Sequence, residues 1–315
     1  MSRIDRRQVF AGALALPLAS ALPGVAFAAP QLAGPEFPVR FNIAQGRAIR
    51  HRPKVAVASY GVSYFYTGRT LAPGADGSAM INTALYGVSP GMMAEVAEAG
   101  CQDLRARLAA AGETVVGAEE TRAAIAAART PMREGNRNSG RGTFDGVTVA
   151  QNWLTLGSTT APMVAGYSGE PNSMIAGLGA RNRLAAASAE LDAIMLTPVV
   201  WVDYARMRRS SSGAHGRVVL GLRGAPSGFI ASAADARGRL VMATLIPTDD
   251  GYSNRNYHAD LASTDGASTL QALANVNVSD ARIVADPARW TDIATSVLRS
   301  YNAGLTDAVR QIHTA

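Results

Sequence analysis

The chain has 315 residues, 48% of them hydrophobic, with a single cysteine and a formal charge of +6. That length suffices for one large domain or two ordinary ones, and one cysteine excludes an internal disulfide and any cysteine-based metal cluster. The excess of 30 basic over 24 acidic residues is mild, and the arginines are scattered without an interleaved aromatic stripe, which argues against nucleic-acid binding.

The amino terminus carries an export pattern. Asp5-Arg6-Arg7-Gln8-Val9-Phe10 precedes an apolar run from Ala11 to Val25, followed by Ala26-Phe27-Ala28 before Ala29-Pro30. A charged start, a short apolar stretch broken by Pro17 and Pro23, and a small-x-small cleavage site at Ala26 and Ala28 predict a signal peptide over 1–28. The adjacent Arg6 and Arg7 resemble the twin-arginine export signal. Asp5 stands where that pattern has Ser or Thr, and Val9-Phe10 replaces its Phe-Leu order. The periplasm is therefore the expected location. Without Arg3, Arg6, Arg7 and Asp5 the charge falls from +6 to +4. No cysteine follows the cleavage site to carry a lipid, and no later apolar run is long enough to span a bilayer.

Residues 29–53 are proline-rich and read as an irregular segment, leaving a single domain over 54–315. Lys54 to Tyr66 reads as a strand with Val55, Val57 and Phe65 on one face and Ala56, Ala58, Tyr60, Val62, Tyr64 and Tyr66 on the other. Both faces are at least half apolar, as in a strand covered on two sides. The connection from Thr67 to Val88 is rich in Gly, Ala and Asn, with a short apolar turn at Met80-Ile81. A helix then runs from Ser89 to Ala111. Ser89 can cap its free amides, and Pro90 at the first helical position lacks only an N–H that would have no partner. Met93, Val96, Ala97, Gly100, Cys101, Leu104, Leu108 and Ala111 share one face, and Gly112 is the expected left-handed stop.

Thr114 to Val116 is a second short strand, and Glu119 to Arg129 an alanine-rich helix. Glu119 and Glu120 suit the dipole of its first turn better than a catalytic carboxylate pair. Glu134 to Gly142 is polar and glycine-dense, which predicts a flexible loop near 130–143. Phe144 to Leu156 alternates as one or two strands. Pro171 to Leu191 reads as a helix. Its Gly177-Leu-Gly-Ala-Arg-Asn182 starts like a dinucleotide fingerprint but lacks the third glycine and a preceding strand. Asp192 to Tyr204 is a long apolar strand pair or bent strand in which Pro198 marks an edge or bulge. Gly216–Leu222, Gly228–Ala234 and Arg239–Pro247 are expected to form an antiparallel meander. The polar run from Thr248 to Asp260 misses the spacing of a calcium loop, so neither metal nor cofactor is expected. Asp286 and Pro287 open a final helix of about 26 residues, or about 39 Å. Trp290, Ile293, Val297, Tyr301, Leu305, Ala308 and Ile312 form its apolar stripe, with Arg299, Asn302 and Thr306 lying away from it.

Gly87-Val-Ser89-Pro-Gly91 matches the nucleophile-elbow pattern G-x-S-x-G ahead of a helix. With Ser89 as nucleophile, His215, His258 or His313 could follow in the usual order, His258 being the alternative base. The oxyanion hole of that elbow uses the amide after the nucleophile, and Pro90 has none. A Ser-Pro helix start explains the same residues.

Strands interleaved with helices and then grouped define an α/β (or α+β) class, a mixed β-sheet covered by helices with a long amphipathic carboxy-terminal helix. Lys54-Val-Ala-Val57, Cys101 to Val116, Leu191-Asp-Ala-Ile-Met195, the late strands and the final helix resemble the periplasmic α/β domain of the CsgG-like curli-secretion family and the TolB amino-terminal domain. Secretion members of that family are pore-building lipoproteins, whereas this chain lacks the lipidated cysteine and a membrane hairpin. The resemblance therefore implies an adaptor or assembly role in the envelope, with no catalytic residue attached. The expectation is a non-catalytic protein that holds an envelope protein or small periplasmic ligand, through the meander edge or the segment Glu134 to Gly142. The alternative is a periplasmic serine hydrolase using Ser89.

Overall fold

The computed structural model describes residues 36–74, 77–144, 147–164, 183–210, 213–223, 230–247, 262–264, 270–271 and 278–315. Two mixed sheets and their helices form an α/β fold. The six-stranded sheet has the order β1 (Phe41–Ala44), β14 (Leu240–Pro247), β13 (Ala231–Ala234), β10 (Ala193–Leu196), β2 (Lys54–Val57), β5 (Thr114–Val115). β10, β2 and β5 are parallel, and the other pairings antiparallel. Helix α1 (Pro90–Ala110) and helix α4 (Pro287–Thr314) pack on one face. α2 (Ala118–Ala127) and the described part of α3, residues 183–191, pack on the other. The strand faces sort accordingly: Val55, Val57, Ile194 and Leu196 join the core under α1 and α4, while Ala56, Ala58, Ala193 and Met195 join the core with Ile125, Leu184 and Leu191.

The nine-stranded sheet is built on three long hairpins: β3 (Gly61–Gly74) with β4 (Gly77–Tyr86), β7 (Gly135–Phe144) with β8 (Val147–Gly157), and β11 (Val199–Ser210) with β12 (Gly213–Arg223). β3 is its spine. β8 runs antiparallel along one side of it, and the other side is shared by β11 at its start and β4 towards its end. β17 (Val278–Ala285) continues beyond β4, with β15 (Ala262–Thr264) outside it, and β16 (Leu270–Gln271) pairs with β12. β6 (Met132–Arg133) and β9 (Met163–Val164) form a separate two-stranded sheet. Phe65, Trp153 and Trp201 meet at the base of the nine-stranded sheet with ring centroids 5.2 to 5.8 Å apart.

The two large sheets share strands. The predicted strand from Lys54 to Tyr66 is β2 in one sheet and β3 in the other, and the bent strand expected around Pro198 is β10 followed by β11. Val57 lies opposite Leu196 but Gly61 opposite Val199, so one side carries one extra residue. The amides of Ala58 and Ser59 both reach the carbonyl of Leu196, at 2.8 and 3.2 Å, the mark of a β-bulge. The alternation slips by one at this point. Val55 and Val57 therefore share a core with Tyr60, Val62 and Tyr64, whereas unbroken alternation predicts opposite faces.

Several other expectations are corrected. The 29–53 segment contains β1 and a 3-10 turn (Gly46–Ala48), and β1 covers the outer edge of β14. Thr67 to Val88 is mostly the β3–β4 hairpin, with Met80 and Ile81 in strand β4. The glycine-dense stretch near 130–143 is strand β7, in register with β8 from Gly135 to Phe144. The expected meander is divided: β12 belongs to the nine-stranded sheet, β13 and β14 to the other. Asn302 and Thr306 are buried on α4, not turned away from the core.

The helix ends follow the sequence signals closely. Ser89 Oγ accepts the Met92 amide at 3.2 Å, and the Asp286 carboxylate accepts the Arg289 amide at 2.9 Å, each just ahead of its proline. Gly112 has φ of +89°, the conformation a C-terminal glycine supplies. α4, at 28 residues, is about 42 Å long and packs along α1.

Candidate functional site

Ser89 sits after β4 and before α1, the strand–turn–helix context of a nucleophile elbow. Its backbone is plain extended chain (φ −89°, ψ 154°), and its hydroxyl serves the helix cap. The turn is set by Gly87 (φ +83°), where an added Cβ would lie 2.4 Å from the Ala285 carbonyl oxygen. The histidines whose rings are described are engaged elsewhere. His313 Nδ1 is 2.6 Å from Glu113 Oε2 and its Nε2 is 3.1 Å from the Arg52 carbonyl, while His51 Nε2 is 3.1 Å from the Ala234 carbonyl. His215 is in β12. His258 lies outside the described residues, as do Arg6, Arg7, Ala26 and Ala28. Ser89 thus has a cap's geometry, and among the described residues no histidine ring is bonded to it.

Two polar networks occupy positions that the sequence does not advertise. Glu98 of α1 accepts from Ser158 Oγ (2.8 Å), the Thr159 amide (2.7 Å) and Thr159 Oγ1 (2.8 Å) on one oxygen. Its other oxygen accepts from Thr160 Oγ1 (3.1 Å) and Gln102 Nε2 (3.0 Å). Burial works to raise the Glu98 pKa, but the hydrogen bonds from Ser158, Thr159 and Gln102 hold the carboxyl below the ordinary carboxylate range. The segment it grips also bonds the bulge: the Tyr60 amide donates to Ala161 O at 3.0 Å and the Ser158 amide to Tyr60 O at 3.1 Å. Glu98 therefore fixes the helix to the joint between the sheets.

The second network ties α1 to α4. Asn302 accepts from Tyr60 Oη (3.0 Å) and donates to Gly100 O (2.8 Å) and to Asp103 Oδ2 (2.9 Å). Asp103 also accepts from Arg107 Nε at 2.8 Å; Arg107 bonds Glu36, which accepts from Arg299 Nη2 at 2.8 Å. An added Cβ at Gly100 would stand 2.7 Å from Tyr60 Oη and 2.8 Å from Leu298 Cδ1, so the helices meet at a residue that must be small. The carboxylates of Glu98 and Asp103 and the amide of Asn302 are engaged within the protein, while Gln102 Oε1 at the margin of the first network is buried without a hydrogen-bond partner. Such internally paired groups are the chemistry of structure.

Cys101 is buried, and burial raises its thiol pKa further, the opposite of an activated nucleophile. Among the described residues no group of three or more His, Cys, Asp or Glu side chains could hold a metal ion, and no helix is long and apolar enough to cross a membrane.

What remains open is backbone. β7 has ten residues without proline, paired on one side with β8 and, among the described residues, with no strand on its other side. Gly135 and Arg137 are exposed. A strand of this length presents a row of unpaired amide and carbonyl groups, a ready template for an added strand. The edge of β14 is occupied by β1, so of the two partner surfaces expected from the sequence the 134–142 segment is the one that keeps an unpaired edge among the described residues. Against family models, curated proteins and solved structures, the chain finds no match.

Proposed function

We propose that the chain is an exported adaptor or assembly protein of the bacterial envelope that holds an extended segment of a partner by strand addition to β7. The observation that carries the reading is the ten-residue edge strand with one side unpaired among the described residues. Support for export comes from the Arg6-Arg7 leader with its Ala26-Phe27-Ala28 cleavage pattern. The resemblance to the curli-secretion and TolB domains supports an envelope role. Main-chain bonding gives such a site affinity without a deep cavity, and alternate side chains give it selectivity.

A photo-crosslinking residue placed at Arg137 tests this in cells, with the same residue at the exposed Ala123 of α2 as control. The expected result is one reproducible adduct from position 137 that is absent at 123. Equal labelling from both positions, or none from 137, refutes the proposal. Because amide directions alternate along an edge strand, one of Asn138→Pro and Ser139→Pro removes an outward donor and the other a donor to β8, and both leave the probe at 137 in place. The outward substitution should abolish the adduct while the protein remains folded.

A further inference from the structure

The arginines that look scattered in the sequence are gathered by the topology. β11 runs parallel to β3 and β8 antiparallel to it, so the far pairs of all three hairpins, Gly74–Gly77, Phe144–Val147 and Ser210–Gly213, point to one end of the nine-stranded sheet. Residues 199–223, the β11–β12 hairpin, contain Arg206, Arg208, Arg209, Arg217 and Arg223 against one acid, Asp203. Five minus one gives +4, two-thirds of the chain's formal +6. β11 leaves β3 after Val202, with a register shift between Asp203 and Ala205, so the basic part of the hairpin is a ribbon that extends past β3, with β16 paired to β12 at His215 and Gly216.

Within that ribbon the register is unusual. Arg206 is placed directly opposite Arg217, and Arg208 directly opposite His215. Alternation puts these two rungs on the same face, about 7 Å apart along the strands and about 5 Å across. Like charges directly opposite on an antiparallel pair repel, so the pairing opposes the folding of this chain. Three guanidinium-bearing positions and an imidazole-bearing one in so small a rectangle match a group with several anionic oxygens. Guanidinium forks fit phosphate in a bidentate way, and a single carboxylate is too small to serve four positions.

We propose that the Arg206, Arg208, His215 and Arg217 face of the β11–β12 ribbon is a binding site for a phosphate group. Two sources share that chemistry, a lipid headgroup and a free phosphate anion. The site lies in a different hairpin from β7 and does not depend on strand addition there.

The test uses the full chain and two probes: co-sedimentation with phosphatidylglycerol vesicles against net-neutral phosphatidylcholine vesicles, and calorimetric titration with inorganic pyrophosphate. Binding to the anionic vesicles alone assigns a headgroup, and binding to pyrophosphate assigns a free anion. In either case the Arg206→Gln/Arg217→Gln pair should weaken binding at least tenfold. The Arg206→Lys/Arg217→Lys pair, which keeps charge and loses the fork, should fall between. Without ligand, the Gln pair should melt at or above the parent temperature, because a repulsive rung has been removed. Failure of both probes to bind, undiminished binding by the Gln pair, or a lowered melting temperature overturns the proposal. The single variant Arg208→Gln, which leaves the 206–217 rung in place, must also weaken binding.

Discussion

Replacing Glu98 by Gln changes one atom in a side chain of the same shape, and the cost can be worked from its hydrogen bonds. One carboxylate oxygen accepts from Ser158 Oγ, the Thr159 amide and Thr159 Oγ1, and the other from Thr160 Oγ1 and Gln102 Nε2. An amide can turn its oxygen toward one group only, and its NH2 then meets donors. A hydrogen bond to a charged group is worth about 1.5–3 kcal/mol against about 0.5–1.5 for a neutral one. With its oxygen kept toward Ser158 and Thr159, the new NH2 meets Thr160, whose hydroxyl can rotate to accept, and Gln102, which can turn its unpartnered Oε1 inward. The loss therefore concentrates on the weakening of the Ser158 and Thr159 bonds as the charge goes. About 2–3 kcal/mol is the expected cost, which lowers the melting temperature by about 3–5 °C, at about 2.1 cal/mol/K of unfolding entropy per residue over the 315 residues of the chain. The pH dependence is a separate check. Glu98 has a folded pKa below its unfolded value, so its contribution is fully present above the ordinary carboxylate range and is lost as pH falls through the folded value. In thermal melts at falling pH, the gap between parent and Glu98→Gln should narrow toward the acid end. A variant within about 0.5 kcal/mol of the parent at pH 7, or a gap that does not narrow in acid, would refute the argument that this carboxylate holds the joint.

Two further substitutions probe the helix pair and the cap. Gly100→Ala should destabilise by about 1–3 kcal/mol, because the methyl would stand 2.7 Å from Tyr60 Oη; on an open helix the same change stabilises by up to about 1 kcal/mol, so the sign in a urea titration decides. Ser89→Ala should cost about 1 kcal/mol through the lost Met92 cap and leave the adduct at position 137 unchanged; abolished turnover of any ester substrate by this variant would instead restore the hydrolase reading.

The parts of the fold that were legible in the sequence are those fixed by local chemistry. Ser89-Pro90 and Asp286-Pro287 start the two long helices because a capping acceptor and a missing amide are needed there whatever surrounds them. Strand β7 carries no such signal. Its only apolar residue is Phe144, and its glycines and asparagines have low strand propensity, so its extended form is imposed by pairing with β8. The same holds for the outer half of the β3–β4 hairpin, where Pro73, Gly74 and Gly77 look like loop. Asn302 sits off the apolar stripe of α4, yet Gly100 and Asp103 of α1 close over that flank and bury it. Glu98 reads as an ordinary polar position because its partners Ser158 to Thr160 lie some sixty residues on, a distance no local periodicity spans. The bulge at Ala58 and Ser59 is written in two small residues that would suit an unbroken strand equally well.

That bulge has a mechanical consequence. Since β2 continues into β3 and the neighbouring β10 into β11, two adjacent covalent threads cross from one sheet to the other side by side. Parting the sheets requires breaking the strand pairing on both crossings at once, so heat or denaturant is expected to melt them in one transition. A cut at residues 58–60 leaves each half with unmatched strands, and no boundary there yields fragments able to stand alone.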